Sequence, residues 1–342
     1  MVTARPLRIA YFGTPDFAVP SLTRLIDSPH PVVALVSQPD RPRGRGHRLQ
    51  VTPTKAVALD RGVPVLQPER MKDPGFLERL AAFSPDLGVV AAYGRILPDA
   101  VLAVPQLGMI NVHASILPAY RGAAPVHRAV IAGERETGVT IMRVVSELDA
   151  GPTFAMRKRS VGANETSTEV ESALADLGAG LLLEVVDLIA SGEAVETPQD
   201  DARATYAPKL TKDEGRVEWN LPAQTIHNLV RGLQPWPLAV ARLGARRLLI
   251  HRTEPAEAAE AEETETETEV PGTFPGKVPG TAGASPASGT IAAAGADGIL
   301  VVCGDGKLLR ILEIQPEGRR VMTVRDFLAG HPIEVGTRLE RA

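Results

Sequence analysis

The hydrophobic and polar positions of the first two hundred residues follow two alternating patterns. Short apolar runs bounded by Gly, Pro or charged residues predict buried strands, and stretches with apolar residues three to four apart predict amphipathic helices. The predicted strands are Leu7–Phe12, Val32–Ser37, Leu87–Ala92, Met109–His113 and Val139–Val145, and the predicted helices are Asp16–Asp27, Pro74–Phe83 and Ser167–Gly192. This alternation predicts an α/β fold with an open, mostly parallel, Rossmann-like sheet.

The pattern changes after residues 193–209, a polar, proline-containing stretch that we interpret as an interdomain linker. A short helix is predicted at Pro222–Leu233, and short strands follow, two of them joined by a Gly-Asp-Gly turn at 304–306. These strands are Leu238–Leu243, Arg246–Arg252, Gly289–Ala294, Ile299–Cys303 and Leu308–Gln315. A run of antiparallel strands of this length predicts a small OB-like β-barrel. The sequence thus predicts two domains, 1–192 and 210–342.

Residues 254–288 interrupt the predicted barrel. A run of Glu and Thr is followed by a stretch rich in Gly, Pro, Ala and Ser, with few large apolar residues, so we predict a disordered insertion. Eight Glu lie within residues 254–269, whereas the formal charge of the whole chain is −4. The rest of the chain therefore carries a net positive charge, which is compatible with a nucleic-acid partner.

Cysteine content and hydropathy argue against a disulfide-bonded, zinc-binding, secreted or membrane protein. The single cysteine, Cys303, excludes an internal disulfide framework, and the His and Cys residues lack the spacing of a zinc site, so we expect no metal. No uncharged apolar run reaches the ~18 residues of a membrane span, and the apolar stretch near the N-terminus is too short for a signal peptide. We expect a soluble, cytoplasmic monomer that does not contact a membrane.

The predicted strand Met109–His113 carries the first candidate chemistry. Residues two apart on a strand share a face, so Asn111 and His113 point to the same side of an otherwise apolar strand. They lie toward its carboxyl end, where open α/β sheets bind ligands. Asp149 follows later, in an Asp-Ala-Gly-Pro turn. The residues alone leave two interpretations open, a catalytic group or an ordinary buried histidine with turn-forming Asn and Asp residues.

The segment NVHASILPAYRGAAPV, followed by TIMRVVSELDAGP, resembles the signature of enzymes that use 10-formyltetrahydrofolate as a formyl donor. The resemblance implies that Asn111, His113 and Asp149 form the catalytic set. It also implies that the folate site is lined by Ser115, Ile116, Leu117 and Pro118, with Ile116 in place of the usual Leu. Glycinamide ribonucleotide formyltransferases share the Asn, His and Asp set but have a single domain.

Other segments resemble the methionyl-tRNA formyltransferase family in particular. They are RIAYFGTPDFAVPSL, QPDRPRGRGHRLQVTPTK, ATYAPKLTKDEGRVEWN and GLQPWPLA. Residues 254–288, in contrast, match nothing in the family pattern. The resemblance implies formyl transfer from 10-formyltetrahydrofolate to the α-amino group of initiator methionyl-tRNA. It further implies a metal-free reaction through a tetrahedral intermediate that Asn111 and His113 stabilise, with Asp149 orienting His113 or relaying a proton.

One concentrated cationic run lies at residues 41–48. A charged run of this kind is usually only a solvated loop. Arginine suits phosphate recognition, and Gly44 and Gly46 leave the backbone mobile, so these features together with the family resemblance predict a loop that contacts tRNA through Arg41, Arg43, Arg45 and Arg48. The resemblance points most directly to Arg45. Two alternatives stay open: a formyltransferase for a small amine, such as an amino-sugar nucleotide, and a non-catalytic RNA-binding protein with a degenerate α/β domain.

Overall fold

The computed structural model describes residues 5–43, 48–256 and 286–342. The chain forms two compact units. The first comprises Met1–Val126, Glu136–Ser160 and Glu169–Lys209, and the second comprises His127–Arg135, Val161–Thr168 and Leu210–Ala342. The predicted bounds of the two domains stay a prediction, but the residues interpreted as a linker lie within the first unit. The main-chain groups of Thr197 bond those of Thr153, and residues 206–207 pair with residues 121–122.

The strands of the first unit are β1 (Ile9–Gly13), β2 (Val32–Val36), β3 (Arg41–Arg43), β4 (Arg48–Gln50), β5 (Val65–Leu66), β6 (Leu87–Ala91), β7 (Met109–His113), β8 (Arg121–Gly122), β9 (Glu136–Arg143), β10 (Thr153–Ser160) and β11 (Tyr206–Ala207). Seven of them form the main sheet in the order β10-β9-β7-β6-β1-β2-β5. Five neighbouring strands of this sheet, β5, β2, β1, β6 and β7, are parallel to one another. Strand β9 is antiparallel to β7, and β10 is antiparallel to β9. The predicted α/β fold with an open, mostly parallel sheet is confirmed.

The α-helices of the chain are α1 (Val19–Ile26), α2 (Pro53–Asp60), α3 (Pro74–Ala82), α4 (Asp99–Leu102), α5 (Pro125–Ala132), α6 (Ser167–Ser191), α7 (Ala223–Gly232) and α8 (Val324–Gly330). Helix α6 lies directly against the sheet at β7 and β9. A Cβ at Gly178 would lie 2.9 Å from Val112 Cγ1 and 3.2 Å from Val139 Cγ1, so only glycine permits this approach. The helix thereby supports the face of β7 opposite to Asn111 and His113.

The strands of the second unit are β12 (Ala239–Leu243), β13 (Arg246–Ala256), β14 (Ile291–Gly295), β15 (Gly298–Val302), β16 (Leu308–Pro316), β17 (Met322–Thr323) and β18 (Leu339–Arg341). They form an antiparallel sheet in the order β14-β15-β16-β13-β12-β18, with β17 beside β16. The sheet curls so that its two edges meet. Ile291 N–H donates to Thr337 O and Leu339 N–H to Gly289 O, each at 2.8 Å. This curled sheet agrees with the predicted OB-like barrel.

The insertion predicted at 254–288 includes residues that the structure describes as strand. Residues 254–256 belong to β13, where Glu254 pairs with Arg310 and Ala256 with Leu308. Glu254 also forms an ion pair with Arg310, so its charge stabilises the strand. Residues 257–285 lie outside the described residues, and residues 286–288 are described. Within the described part of the chain, no helix combines the length and apolar character that a bilayer crossing requires.

Candidate active site

Strand β7 lies inside the main sheet, between β6 and β9, and its side chains alternate between the two faces. Ile110 and Val112 are buried on one face, whereas Asn111 and His113 share the other. His113 is the last residue of the strand, at the edge where the carboxyl ends of the parallel strands meet. The two polar side chains therefore lie where this class of sheet places its ligands.

The His113 ring is buried and held by a backbone carbonyl. Its Nε2 lies 3.0 Å from the carbonyl oxygen of Tyr120, and because a carbonyl only accepts, Nε2 carries a proton and donates it. Burial lowers the pKa of His113, against smaller opposing effects of the Asp149 charge and the Tyr120 carbonyl. The ring is therefore neutral at neutral pH, and Nδ1 presents a lone pair.

Asp149 lies beside that lone pair. Its Oδ2 is 3.7 Å from His113 Nδ1, which is longer than a hydrogen bond, and the same oxygen accepts the N–H of Gly122 at 2.9 Å. Asp149 has a φ of +49°, a left-handed conformation that non-glycine residues rarely adopt. The ring of His113 is thus oriented by Tyr120, while Nδ1 and the carboxylate face each other as two acceptors with room for a shared donor.

Asn111 contributes donors to the same face. Its side chain is half-buried and bonds to no other residue in the part of the chain that the structure describes. An amide nitrogen has two N–H groups, so both are available to a ligand. The structure thus brings together an amide donor, an imidazole lone pair and a carboxylate. This arrangement can accept a proton and can also stabilise a developing negative charge.

The turn after β7 is closed by its own polar groups. Ser115 Oγ donates to the Ala119 carbonyl at 2.6 Å, and the Thr140 hydroxyl donates to the Ser115 carbonyl at 2.7 Å. Ser115 and Leu117 are buried, whereas Ile116 and Pro118 keep exposed surface. The folate contacts expected of these four residues stay a prediction, and Ile116 and Pro118 are the two whose side chains remain accessible.

The cationic segment forms a short hairpin in its described part, with Arg41 opposite Gln50 and Arg43 opposite Arg48. Arg41 is exposed, and Arg45 lies outside the described residues. The root of the hairpin is anchored at Asp40, which pairs with Lys55 and accepts from Gln67 Nε2 at 2.9 Å. The hydrogen bond from Lys55 lowers the pKa of Asp40, so this anchor is ionised at neutral pH. The contact of these arginines with tRNA stays a prediction.

Three groups around His113 and Asp149 were not predicted: the Tyr120 carbonyl, the Gly122 amide and the Thr140 hydroxyl. Tyr120 and Gly122 act through the backbone, which side-chain patterns do not show. The signal for them was their position within the quoted motif, two residues apart in AYRG. Among the described residues, no cluster of three or more His, Cys, Asp or Glu side chains is arranged to hold a metal ion.

The chain is similar in sequence to known formyltransferases along most of its length. Residues 7–186 match the family model described as formyl transferase, and residues 209–332 match the model of the formyl transferase C-terminal domain. Methionyl-tRNA formyltransferase of Trichlorobacter lovleyi is 42% identical over 97% of this chain and 96% of its own length. That of Moorella thermoacetica is 42% identical over 96% of this chain and 98% of its own length.

A solved structure shows the same fold at low identity. The N-formyltransferase from Helicobacter canadensis, in complex with folinic acid and dTDP-3-aminofucose, aligns with a TM-score of 0.63 and 14% identity. The alignment covers 89% of this chain and 98% of that one. The resemblance drawn from the sequence motifs is confirmed by the two full-length relatives and both family models. The chain is a formyltransferase and belongs to the methionyl-tRNA formyltransferase family.

Proposed function

We propose that the protein transfers a formyl group from 10-formyltetrahydrofolate to the α-amino group of initiator methionyl-tRNA, for translation initiation. The observation that carries the proposal is the 3.7 Å approach of His113 Nδ1 to Asp149 Oδ2 on the strand face that also holds Asn111. The names of the full-length relatives support the acceptor, and the folinic acid held by the Helicobacter canadensis enzyme supports the donor. We place the reaction in the cytoplasm and assign it to a monomer.

The residues at this edge of the sheet fit a formyl-folate. The Asn111 amide has no protein partner among the described residues, so it suits a carbonyl oxygen. Ile96 is 87% exposed and follows β6, the parallel neighbour of β7; Leu148 is 61% exposed and precedes Asp149. Large apolar side chains left this exposed offer surface that a flat ring system can cover. When bound, 10-formyltetrahydrofolate supplies an amide-like carbonyl as the electrophile.

The first task of the site is to take a proton. An α-amino group with a pKa of ~7.7–8.0 attacks in its neutral form, and bond formation makes its nitrogen positive. His113 Nδ1 and the Asp149 carboxylate both accept, and they face one another at a distance that admits one N–H donor. The nitrogen–hydrogen bond therefore breaks toward this pair. General base catalysis of this kind contributes roughly 10²–10⁴-fold to the rate.

The second task is to stabilise the carbonyl oxygen as it becomes negative. Asn111 donates from its amide in either protonation state of the site. The single N–H of neutral His113 is held by Tyr120, so Nδ1 donates only after it has gained a proton. Proton acceptance thus converts His113 into a second donor. The same proton then passes to the leaving folate nitrogen as the carbon–nitrogen bond breaks, which leaves a formamide on methionine and restores neutral His113.

The arginine-bearing hairpin favours a tRNA acceptor over a small amine. Its root is anchored by the Asp40–Lys55 pair, and the exposed Arg41 extends from that anchor. A guanidinium is suited to phosphate, and four arginines in one run suit the many phosphates of a tRNA backbone better than the single diphosphate of an amino-sugar nucleotide. The small-amine alternative keeps one observation in its favour, since the Helicobacter canadensis neighbour holds dTDP-3-aminofucose in the same fold.

Acceptor competition tests the proposal. Formyl transfer from 10-formyltetrahydrofolate is measured with methionyl-initiator tRNA, free methionine, uncharged tRNA and dTDP-3-aminofucose. We expect transfer to methionyl-tRNA alone.

Replacing Arg41, Arg43, Arg45 and Arg48 by Ala should raise the KM for tRNA without affecting folate binding. It should also flatten the salt dependence of tRNA affinity by ~0.7–0.9 per lost phosphate contact. Arg45→Lys should rescue only in part, because it keeps the charge but loses the planar fork. Preferred formylation of the amino sugar, or an unchanged salt slope, would contradict the proposal.

A further inference from the structure

The residues interpreted from sequence as a linker reach the turn that carries Asp149. Gln199 lies between two backbone attachments of this segment to the first unit, at Thr197 and at β11. Its side-chain amide nitrogen donates to the carbonyl oxygens of Asp149, at 2.9 Å, and Gly151, at 2.7 Å. One side chain therefore holds the backbone on both sides of the turn.

The orientation of the Gln199 amide is fixed by a buried cation. Arg121 donates to Gln199 Oε1 from Nε at 3.1 Å and from a terminal nitrogen at 2.8 Å. Arg121 is buried, and the same terminal nitrogen also donates to Asp201 at 2.6 Å. A guanidinium only donates, so the amide oxygen must face it and the amide nitrogen must face the two carbonyls. All hydrogen-bonding groups of the Gln199 amide are thereby engaged.

The turn that Gln199 holds is one that needs support. Asp149 is in the left-handed region, which disfavours residues with a Cβ. A Cβ at Gly151 would fall inside the van der Waals distance of the Arg143 carbonyl oxygen, so the backbone packs tightly there. The Asp149 carboxylate accepts from Gly122, the neighbour of Arg121 in β8. Gln199, Arg121 and Gly122 thus hold the backbone and the side chain of the same aspartate.

We propose that Gln199, oriented by Arg121, is a positioning residue that sets the Asp149 carboxylate against His113 for formyl transfer. This inference rests on the proposed function, in which Asp149 takes part in moving the proton. A displacement of about 1 Å in a reacting group typically costs about 10²-fold in rate. Loss of the two hydrogen bonds to the turn therefore lowers kcat by about that factor and leaves KM for both substrates nearly unchanged.

Gln199→Met and Gln199→Glu test this role. Met keeps the length of the side chain and loses the hydrogen bonds, whereas Glu keeps its shape and places oxygen against the two carbonyls. Gln106→Met is the matched control, because Gln106 is exposed and bonds no other described residue through its side chain. We expect an about 10²-fold lower kcat for both Gln199 variants, with folding checked by thermal unfolding, and a wild-type kcat for the control.

A double variant separates positioning from general damage. In an Asp149→Asn background, Gln199→Met should cause little further loss of kcat, because the carboxylate that it positions is already absent. A full multiplicative loss in that background, or wild-type kcat in folded Gln199→Met and Gln199→Glu, would overturn the positioning role. Wild-type kcat in Asp149→Asn alone would instead overturn the proposed role of Asp149, and the inference with it.

Discussion

Alanine at Asn111 and alanine at His113 are both expected to reduce formyl transfer but to affect the fold differently. Each change removes one donor to the carbonyl oxygen, and His113→Ala also removes an acceptor of the amine proton, so its loss of kcat should be the larger. Loss of such a donor lowers kcat about 10²- to 10³-fold, equivalent to roughly 3–4 kcal/mol of transition-state stabilisation. Affinity for methionyl-tRNA should stay near the wild-type value, since neither side chain belongs to the arginine-bearing hairpin.

The two side chains differ in what they bond within the protein. His113 is buried and donates to the Tyr120 carbonyl, so its truncation removes that donor and opens a cavity. A buried polar group that loses its partner costs about 1–3 kcal/mol. The side chain of Asn111 is half-buried and bonds to no other described residue, so its truncation leaves no protein group unpaired. We expect the free energy of unfolding to fall by about 1–3 kcal/mol for His113→Ala and by less than about 1 kcal/mol for Asn111→Ala.

Three measurements on the same preparations test this reasoning. Steady-state kcat is measured with both substrates saturating, tRNA affinity by filter binding, and stability by urea unfolding. Near-wild-type turnover in Asn111→Ala would remove this residue from the mechanism. Equal destabilisation by the two substitutions would show that Asn111 makes structural contacts comparable to those of His113, and would refute the assignment of its amide to the ligand.

Three further outcomes are expected. Gly151→Ala should lower the melting temperature and abolish turnover, because its Cβ would overlap the Arg143 carbonyl. The control Gly330→Ala, with no atom near its Cβ, should leave both quantities unchanged. Equal effects of the two substitutions would argue against tight packing of the turn at Gly151. NMR titration should give His113 a pKa below ~6.5. The folded state then binds fewer protons than the unfolded state, so the free energy of unfolding should fall as the pH drops below ~6.5, and it should fall less steeply in His113→Gln. A pKa of His113 above ~6.5 would reverse the sign of this pH dependence. Replacing residues 257–285 by a short Gly-Ser linker should preserve the melting temperature and formylation. Replacing residues 254–288 should lower the melting temperature, because the end of β13 is lost. Indistinguishable melting temperatures of the two variants would show that the pairing of residues 254–256 with β16 adds no stability.

Much of the fold was predictable because its elements have strong local signals. Strands β2 and β7, for example, are short apolar runs between breakers, and the structure has them at Val32–Val36 and Met109–His113, within one residue of the prediction. Helix α6 ends at Ser191, one residue before the predicted Gly192. The end of β13 was not predictable, because Glu254 and Pro255 begin a low-complexity run. Their strand conformation depends on pairing with β16, which lies more than fifty residues further along the chain.

The candidate site, like the fold, was predictable from the sequence only in part. Strand periodicity places Asn111 and His113 on one face, and the motif resemblance points to Asp149. The contact of Tyr120 with His113 depends on the return of the chain after β7, and that of Gln199 with Asp149 joins residues fifty positions apart. Gln199 lies in a polar stretch without periodicity, so only the folded arrangement identifies it.

The most direct test of the central claim is a single-turnover measurement with labelled 10-formyltetrahydrofolate and methionyl-initiator tRNA. Wild-type protein should place the label on the α-amino group of methionine. Asp149→Asn should do so roughly 10²–10⁴-fold more slowly at equal tRNA affinity, because the acceptor facing His113 Nδ1 has lost its charge. Absence of label on methionyl-tRNA with wild-type protein, or an unchanged rate in Asp149→Asn, would contradict the account.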